Sequence, residues 1–266
     1  MRMLKLFIFI TCLSTPAGAQ IAIEADTVFT VSGGPILNGV VLVKNGKIEA
    51  VGRTTDVKIP ASYKKYRANV ITPGLVDARS MVGLSGAMNV PTDQDQLEKS
   101  SPLQPDLRAI DAYNPEDSLV SYLRSWGVTT LHTGHGVGAL VSGQTMVVKT
   151  KPGFAEEVVV LPLAMLAMTF GPDVGENFPS PGTKSKQVAM LRTEMIKAQA
   201  YQKKMGEKDE SKRPARDLKL EMLLKLMNGE VKGLISANRA TDILSAIRLA
   251  KEFGFKLVLE GCAEGY

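Results

Sequence analysis

The stretch from Lys232 to Gly261 reads KGLISANRATDILSAIRLAKEFGFKLVLEG, and it decides the fold class. The run KGLISAN predicts a strand, RATDILSAIRLAKEFG predicts a helix that ends at Gly254, and KLVLEG predicts a second strand. Strands with such continuous apolar runs are typical of parallel sheets covered by helices. This unit therefore predicts an α/β protein.

The chain between residue 73 and this unit shows the same alternation of strands and helices. Asn114 is the predicted N-cap of a helix with Pro115 in its first turn. The apolar face of this helix is predicted to carry Leu119, Val120, Leu123 and Trp126. The next segment, VTTLHTG, is predicted as a strand, and EEVVVLPLAMLAMTFG is predicted as a buried apolar stretch. Two helices are predicted over 185–205 and 215–228. The second is opened by Pro214 and closed by Gly229. A barrel is favoured over a doubly wound sheet.

Residues 20–72 contain only short strand patterns. Two β-rich runs flank Asn45-Gly46, which is the strongest short-range signal for a hairpin. NVITPG is a further apolar strand that stops at Pro73-Gly74. These residues therefore predict a small β unit that precedes the α/β region.

The first nineteen residues have the layout of a secretory signal peptide. Arg2 and Lys5 form a basic start, an apolar run follows, and Ala17-Gly18-Ala19 is a small-residue cleavage site. The alternative is an uncleaved anchor, but the run is shorter than the roughly 20 residues that a membrane-spanning helix needs. We therefore expect an exported protein, periplasmic or secreted, that does not contact the membrane after cleavage.

The composition excludes several classes of function. Cleavage would leave 30 of the 32 basic residues against 27 acidic ones, a net charge of +3 that does not predict nucleic-acid binding. Cys262 would be the one cysteine of the mature chain, which excludes an internal disulfide and a multi-cysteine metal site. No Rossmann, P-loop or nucleophile-elbow motif is present. The expected partner is a small-molecule substrate or ligand, and the sequence leaves homo-oligomer formation open.

Three segments resemble the amidohydrolase superfamily, and within it the imidazolonepropionase-like branch. They are NGKIEAVG (45–52), VITPGLVDARS (70–80) and the stretch from Ile235 to Tyr266. The resemblance implies a composite architecture, with a β-sandwich segment over 20–72 and part of a (β/α)₈ TIM-type barrel over 73–266. It also implies an active site at the carboxyl ends of the barrel strands and hydrolysis of non-peptide C–N bonds by water bound to zinc or another divalent metal.

The resemblance also shows departures from the family pattern. The positions that carry metal-ligand histidines in the family are here Arg79, Met81, Ser236 and Gly261, and Asn238 replaces a further histidine. These side chains do not bind a divalent ion as neutral imidazoles do, so no metal or other cofactor is expected from this chain. Family members continue for several strands beyond the position of Tyr266, so we expect a fragment of a longer product.

Three candidate catalytic residues remain, His132, His135 and Glu260. The histidines are interpreted either as a relocated ligand pair or general base, or as hydrogen-bonded residues of a glycine-rich turn. Glu260 is either a buried catalytic carboxylate or a salt-bridged residue at the rim. The candidate substrate-binding residues are Arg79, Ser80, Ser236 and Asn238, and Arg79 is expected either to bind an anion or to pair with Asp77 or Glu260.

The sequence therefore supports an exported amidohydrolase-like hydrolase with an altered centre. The alternative is a non-catalytic protein that binds a small molecule, or an inactive fragment. A third hypothesis is a structural module of a larger envelope assembly.

Overall fold

The computed structural model describes residues 20–266, so the predicted signal peptide lies outside the described residues. The chain divides into two compact units. The first ends at Pro73, and the second spans Gly74–Tyr266.

The first unit contains one four-stranded sheet. Its strands are β1 (Ile21–Val28), β2 (Ile36–Lys44), β3 (Lys47–Arg53) and β4 (Lys64–Ile71), in the order β3-β2-β1-β4. Strand β4 pairs with β1 in parallel, and the other neighbours are antiparallel. The predicted hairpin is confirmed, because Lys44 pairs with Lys47 around Asn45-Gly46, whose φ angles are 52° and 72°. Ala22, Val40, Leu42 and Tyr63 form one of its two small cores.

The second unit is built on a seven-stranded sheet. Its strands are β5 (Leu75–Asp77), β6 (Val128–Gly134), β7 (Val141–Lys149), β8 (Val159–Leu161), β9 (Met165–Thr169), β10 (Lys232–Ala237) and β11 (Leu257–Gly261). The order is β11-β10-β9-β7-β6-β5, and β8 pairs with β7. The predicted strands at VTTLHTG, KGLISAN and KLVLEG are confirmed as β6, β10 and β11.

The prediction of a purely parallel sheet is wrong in the middle of this unit. Strand β7 is antiparallel to both β6 and β9, and β8 is antiparallel to β7. Only residues 135–140 connect β6 to β7. A parallel crossover needs about a dozen residues or more, so this connection permits only an antiparallel return.

Six helices accompany this sheet. They are α1 (Ser118–Ser125), α2 (Ala155–Val158), α3 (Pro172–Asn177), α4 (Lys184–Met205), α5 (Leu218–Met227) and α6 (Ala240–Phe253). The predicted end of α6 is confirmed, because Gly254 adopts φ 74° and closes the helix. Helix α5 begins later than predicted, because the Asp217 side chain, and not Pro214, caps its first turn. Its predicted end is confirmed, because Gly229 follows the C-cap Asn228 and adopts φ 75°.

Helix α1 differs from its prediction at both ends. Asp117 is the N-cap, and its Oδ1 accepts a hydrogen bond from the Leu119 amide at 2.7 Å. Asn114 instead accepts from the Glu116 amide at 3.0 Å, in the turn that leads to the helix. Trp126 follows the helix and is 68% exposed, so it does not belong to the buried face. Val120 is the buried residue of α1.

Removal of the α1 cap gives a first testable change. We expect Asp117→Ala to lower the free energy of unfolding by about 1 kcal/mol, because the Leu119 amide at the helix start and the Ala87 amide of the preceding loop each lose an acceptor. Urea unfolding measures this difference. Ser125→Ala, at the exposed end of the same helix, should change stability by less than about 0.5 kcal/mol. Equal effects of the two substitutions would contradict the assignment of Asp117 as the cap.

The largest core of the second unit lies between the sheet and helices α4, α5 and α6. The strands contribute Leu166, Met168 and Ile235, and the helices contribute Leu191, Met195, Leu223, Leu226, Ala246 and Leu249. Each of these side chains is at most 2% exposed. Within residues 20–266 no helix has both the length and the apolar character needed to cross a membrane.

Candidate functional site

The topology of the second unit brings the carboxyl ends of five strands to one edge of the sheet. Strands β5 and β6 are parallel, β9, β10 and β11 are parallel, and the antiparallel β7 between them preserves the common direction. Each predicted site residue lies at this edge, in or just after β5, β6, β10 or β11.

Arg79 and Glu260 connect the two outermost strands of the sheet order. Arg79 follows β5, Glu260 lies in β11, and Arg79 Nε donates to Glu260 Oε2 at 3.2 Å. Their side chains are 17% and 29% exposed. Strands at opposite ends of the order approach this closely only when the sheet curls, so the second unit forms a curved sheet of the partial-barrel type.

Further contacts hold the Arg79 guanidinium in place. Nη1 donates to the Ser80 carbonyl at 3.1 Å, and Nη2 donates to the His135 carbonyl at 2.7 Å. Among residues 20–266, Asp77 accepts only from the Arg79 backbone amide, at 3.1 Å, so the Arg79 side chain pairs with Glu260 rather than with Asp77. Three of the five guanidinium N–H groups thus donate to residues that the structure describes.

The other candidate substrate-binding residues do not all face the ion pair. Ser80 Oγ accepts from the Val82 amide at 3.0 Å, and the Ser80 amide donates to the His132 carbonyl at 2.8 Å, so Ser80 shapes the turn after β5. Ser236 is 8% exposed and stands opposite Glu260 in the β10–β11 register. Asn238 is exposed and packs over Gly261, which adopts φ 84°.

His132 is hydrogen-bonded at both ring nitrogens. Nδ1 lies 2.9 Å from the Ala78 carbonyl, and Nε2 lies 2.7 Å from Thr145 Oγ1. A carbonyl only accepts, so Nδ1 carries the proton and Nε2 accepts from the Thr145 hydroxyl. Burial lowers the pKa of His132, which favours this neutral ring. His132 therefore has the bonding of a structural histidine that ties β6 to the turn after β5.

His135 differs sharply from its neighbour. It is 4% exposed, and neither ring nitrogen has a hydrogen-bond partner among residues 20–266. Burial, and next the charge of Arg79, lower the pKa of His135 to about 4, whereas Asp95 and the Gln96 carbonyl act in the opposite direction. The hydrogen-bonded-turn interpretation therefore fits His132 but not His135.

The residues at the strand ends do not fit a divalent metal. Arg79 places a positive charge beside Glu260, and Met81 packs its sulfur against Gly136. In the part of the chain that the structure describes, no three or more His, Cys, Asp or Glu side chains are grouped so that they could hold a metal ion. A hydroxyl, a glycine and a guanidinium provide no set of metal ligands. The local chemistry is that of an ion pair at the end of a curved sheet.

The fold of the whole chain is similar to that of known proteins whose structures have been solved. The chain superposes on an amidohydrolase from Thermotoga maritima with a TM-score of 0.85 and 31% sequence identity, over 92% of this chain. The comparison supports the amidohydrolase superfamily. The present chain spans 65% of the length of that amidohydrolase. No family model and no curated protein matches the sequence.

Two other solved structures have low structural and sequence similarity to this chain. One is an N-acetyl-D-glucosamine-6-phosphate deacetylase variant from Mycobacterium smegmatis, with a TM-score of 0.34, 15% identity, and coverage of 91% of this chain and 50% of the deacetylase. The other is an adenosine deaminase from Xanthomonas campestris with bound zinc, with a TM-score of 0.30, 12% identity, and coverage of 92% and 50%.

Proposed function

We propose that this chain is part of an exported, amidohydrolase-like hydrolase that acts on non-peptide C–N bonds. The observation that carries the proposal is the similarity to the Thermotoga maritima amidohydrolase over 92% of the chain. The reaction centre would lie at the Arg79–Glu260 pair, at the edge of the sheet where barrel enzymes generally have their active sites. The proposal of export rests on the signal-peptide pattern of the first nineteen residues.

Arg79 would bind the carbonyl oxygen of the substrate. Two guanidinium N–H groups remain after the three donated hydrogen bonds described above. The neighbouring Glu260 and the Ser80 and His135 carbonyls fix the guanidinium in advance. A fixed cation at the carbonyl oxygen stabilises the negative charge that develops when the carbonyl carbon is attacked.

Glu260 would act as the general base. Oε2 accepts from Arg79, and Oε1 makes no hydrogen bond within residues 20–266. Glu260 would take a proton from water as the water oxygen bonds to the carbonyl carbon. The C–N bond then breaks, and the proton passes from Glu260 to the leaving nitrogen. His132 would be a positioning residue, because its ring holds the Ala78 carbonyl next to Arg79.

Substitution of Glu260 tests this assignment. We expect Glu260→Gln to lower kcat by about 10²–10⁴-fold, because the amide cannot accept the water proton. The assay measures amine released by the full chain from a panel of N-acylated amines and cyclic amides. Glu252→Gln should retain full activity, since Glu252 lies on α6, is half-exposed, and pairs with Arg192 on α4. Circular dichroism checks that both variants are folded.

Chelation separates this mechanism from metal-dependent hydrolysis. Treatment with EDTA should leave the activity unchanged, because the proposed centre uses only side chains of this chain. Loss of activity with EDTA and recovery with zinc would overturn the side-chain mechanism. Absence of turnover on the whole panel would overturn the hydrolase proposal and favour the non-catalytic binding protein. We also propose that the substrate is a small molecule and that nucleic acid is not a partner.

A further inference from the structure

Strands β9, β10 and β11 each place one polar side chain at the same level of their carboxyl ends. Ser236 in β10 pairs with Thr169 in β9 on one side and with Glu260 in β11 on the other. Ile235 and Ala237, which alternate with Ser236 along the strand, pack in the core beneath the helices. Successive side chains of a strand point to opposite faces, so Ser236 and its two register partners lie on the face turned away from the helices.

The two hydroxyl groups of this row differ in their hydrogen bonds. Thr169 is 1% exposed, and its Oγ1 accepts from the Gly138 amide at 2.9 Å. Ser236 is 8% exposed, and within residues 20–266 its hydroxyl makes no hydrogen bond. Its Oγ is nevertheless in contact with solvent, unlike the fully buried ring nitrogens of His135. The Ser236 hydroxyl can therefore bind a molecule that reaches the carboxyl ends of the strands.

A gap separates this hydroxyl from the carboxylate of Glu260. Neighbouring strands lie about 4.8 Å apart, which brings side chains at paired positions close to one another. No hydrogen bond joins Ser236 Oγ to Glu260, whose Oε2 accepts from Arg79 Nε at 3.2 Å. Polar groups that face each other beyond hydrogen-bond distance are suited to a bridging water. A neutral water is compatible with both charges of the ion pair, and both of these side chains are partly exposed.

We propose that Ser236 Oγ and Glu260 Oε1 together bind the water molecule that attacks the substrate carbonyl. The inference rests on the proposed function and deepens it by assigning the position of the nucleophile. One hydrogen of the water is donated to Glu260 Oε1 and the other to Ser236 Oγ, so a lone pair of the water oxygen remains for the carbonyl carbon. Ser236 sets the direction of the attack, and Glu260 receives the proton.

Crystals of the full chain without substrate test the water site directly. We expect electron density for a water molecule within about 2.6–3.2 Å of both Ser236 Oγ and Glu260 Oε1. Ser236→Ala should lose this water, because one of its two protein partners is removed. Wild-type crystals that lack the water at high resolution would overturn the inference.

Steady-state kinetics on the panel of N-acylated amines and cyclic amides test the role of this water. Ser236→Ala should lower kcat by about 10–100-fold with little change in KM, because the nucleophile is misaligned while Arg79 still binds the carbonyl oxygen. Ser236→Thr keeps the hydroxyl and should recover most of the loss. Ser245→Ala removes the same atom from α6, where Ser245 Oγ donates to the Thr241 carbonyl, and should match the wild type.

The remaining outcomes separate this inference from the proposed function. Equal kcat values for Ser236→Ala and the wild type would overturn the inference. A covalent acyl adduct on Ser236, detected as added mass during turnover, would also overturn it, because the serine itself would then be the nucleophile. A bound water without turnover of any substrate on the panel would overturn the proposed function and leave the water site intact. Turnover by a wild-type protein that lacks the water would do the reverse.

Discussion

Leu226→Ala is expected to lower the free energy of unfolding by about 2–5 kcal/mol. Leu226 lies in α5, is fully buried, and packs in the core between helices and sheet. Its truncation removes apolar contacts and leaves a cavity, because Leu191 and Met195 on α4 are themselves fully buried and cannot fill the space. Urea or thermal unfolding of the full chain measures the loss.

A second leucine in the same helix is the matched control. Leu218 is 58% exposed, so Leu218→Ala should change the free energy of unfolding by less than about 0.5 kcal/mol. Equal losses for the two variants would mean that α5 does not present Leu226 to the core.

Stability is expected to fall by about 3 kcal/mol between pH 7 and pH 4 because of His135 alone. The pKa of His135 is about 4 in the folded chain, against 6.5 as its ordinary value. The unfolded chain therefore binds a proton that the folded chain does not bind at pH values between these two numbers. The contribution of His135 is fully present above about pH 6.5 and is lost as the pH falls towards 4.

The variant His135→Asn isolates this contribution. Arg79 opposes protonation of His135, whereas Asp95 favours it. Asparagine does not titrate, so the variant should lose stability less steeply than the wild type between pH 6.5 and pH 4. The pKa of His132 is also lowered, so His132 makes the stability of both proteins fall as the pH falls. Ser125→Ala should follow the wild type throughout, and identical curves for His135→Asn and wild type would contradict the shifted pKa.

Helices α4 and α6 could be predicted from the sequence because their signals are local. A glycine at the end of α6 and apolar residues at helical spacing, Ile243, Ala246 and Ala250, suffice for that helix. The direction of β7 could not be read in the same way. Its sequence, VSGQTMVVK, mixes buried polar and apolar residues and has no regular alternation, so nothing in it indicates the direction of the strand. The direction is fixed instead by the short connection from Gly134 to Val141.

The chemistry of the candidate site depends on contacts between distant parts of the chain. Arg79 and Glu260 are separated by 181 residues, and only the curl of the sheet selects Glu260 over the nearby Asp77. The difference between His132 and His135 likewise arises from burial and partners that a local motif does not encode.

The antiparallel strand in the middle of the sheet also affects how the chain assembles. In the β6–β7 hairpin, Leu131 pairs with Val148, and in the β5–β6 pair, Leu131 pairs with Asp77. The chain between Asp77 and Leu131 is more than three times as long as the chain between Leu131 and Val148. The loop-closure entropy of the longer connection costs about 1 kcal/mol more. We therefore expect the β6–β7 hairpin to form before the β5–β6 pair, and the contact order of the sheet is lower than that of a strictly parallel arrangement.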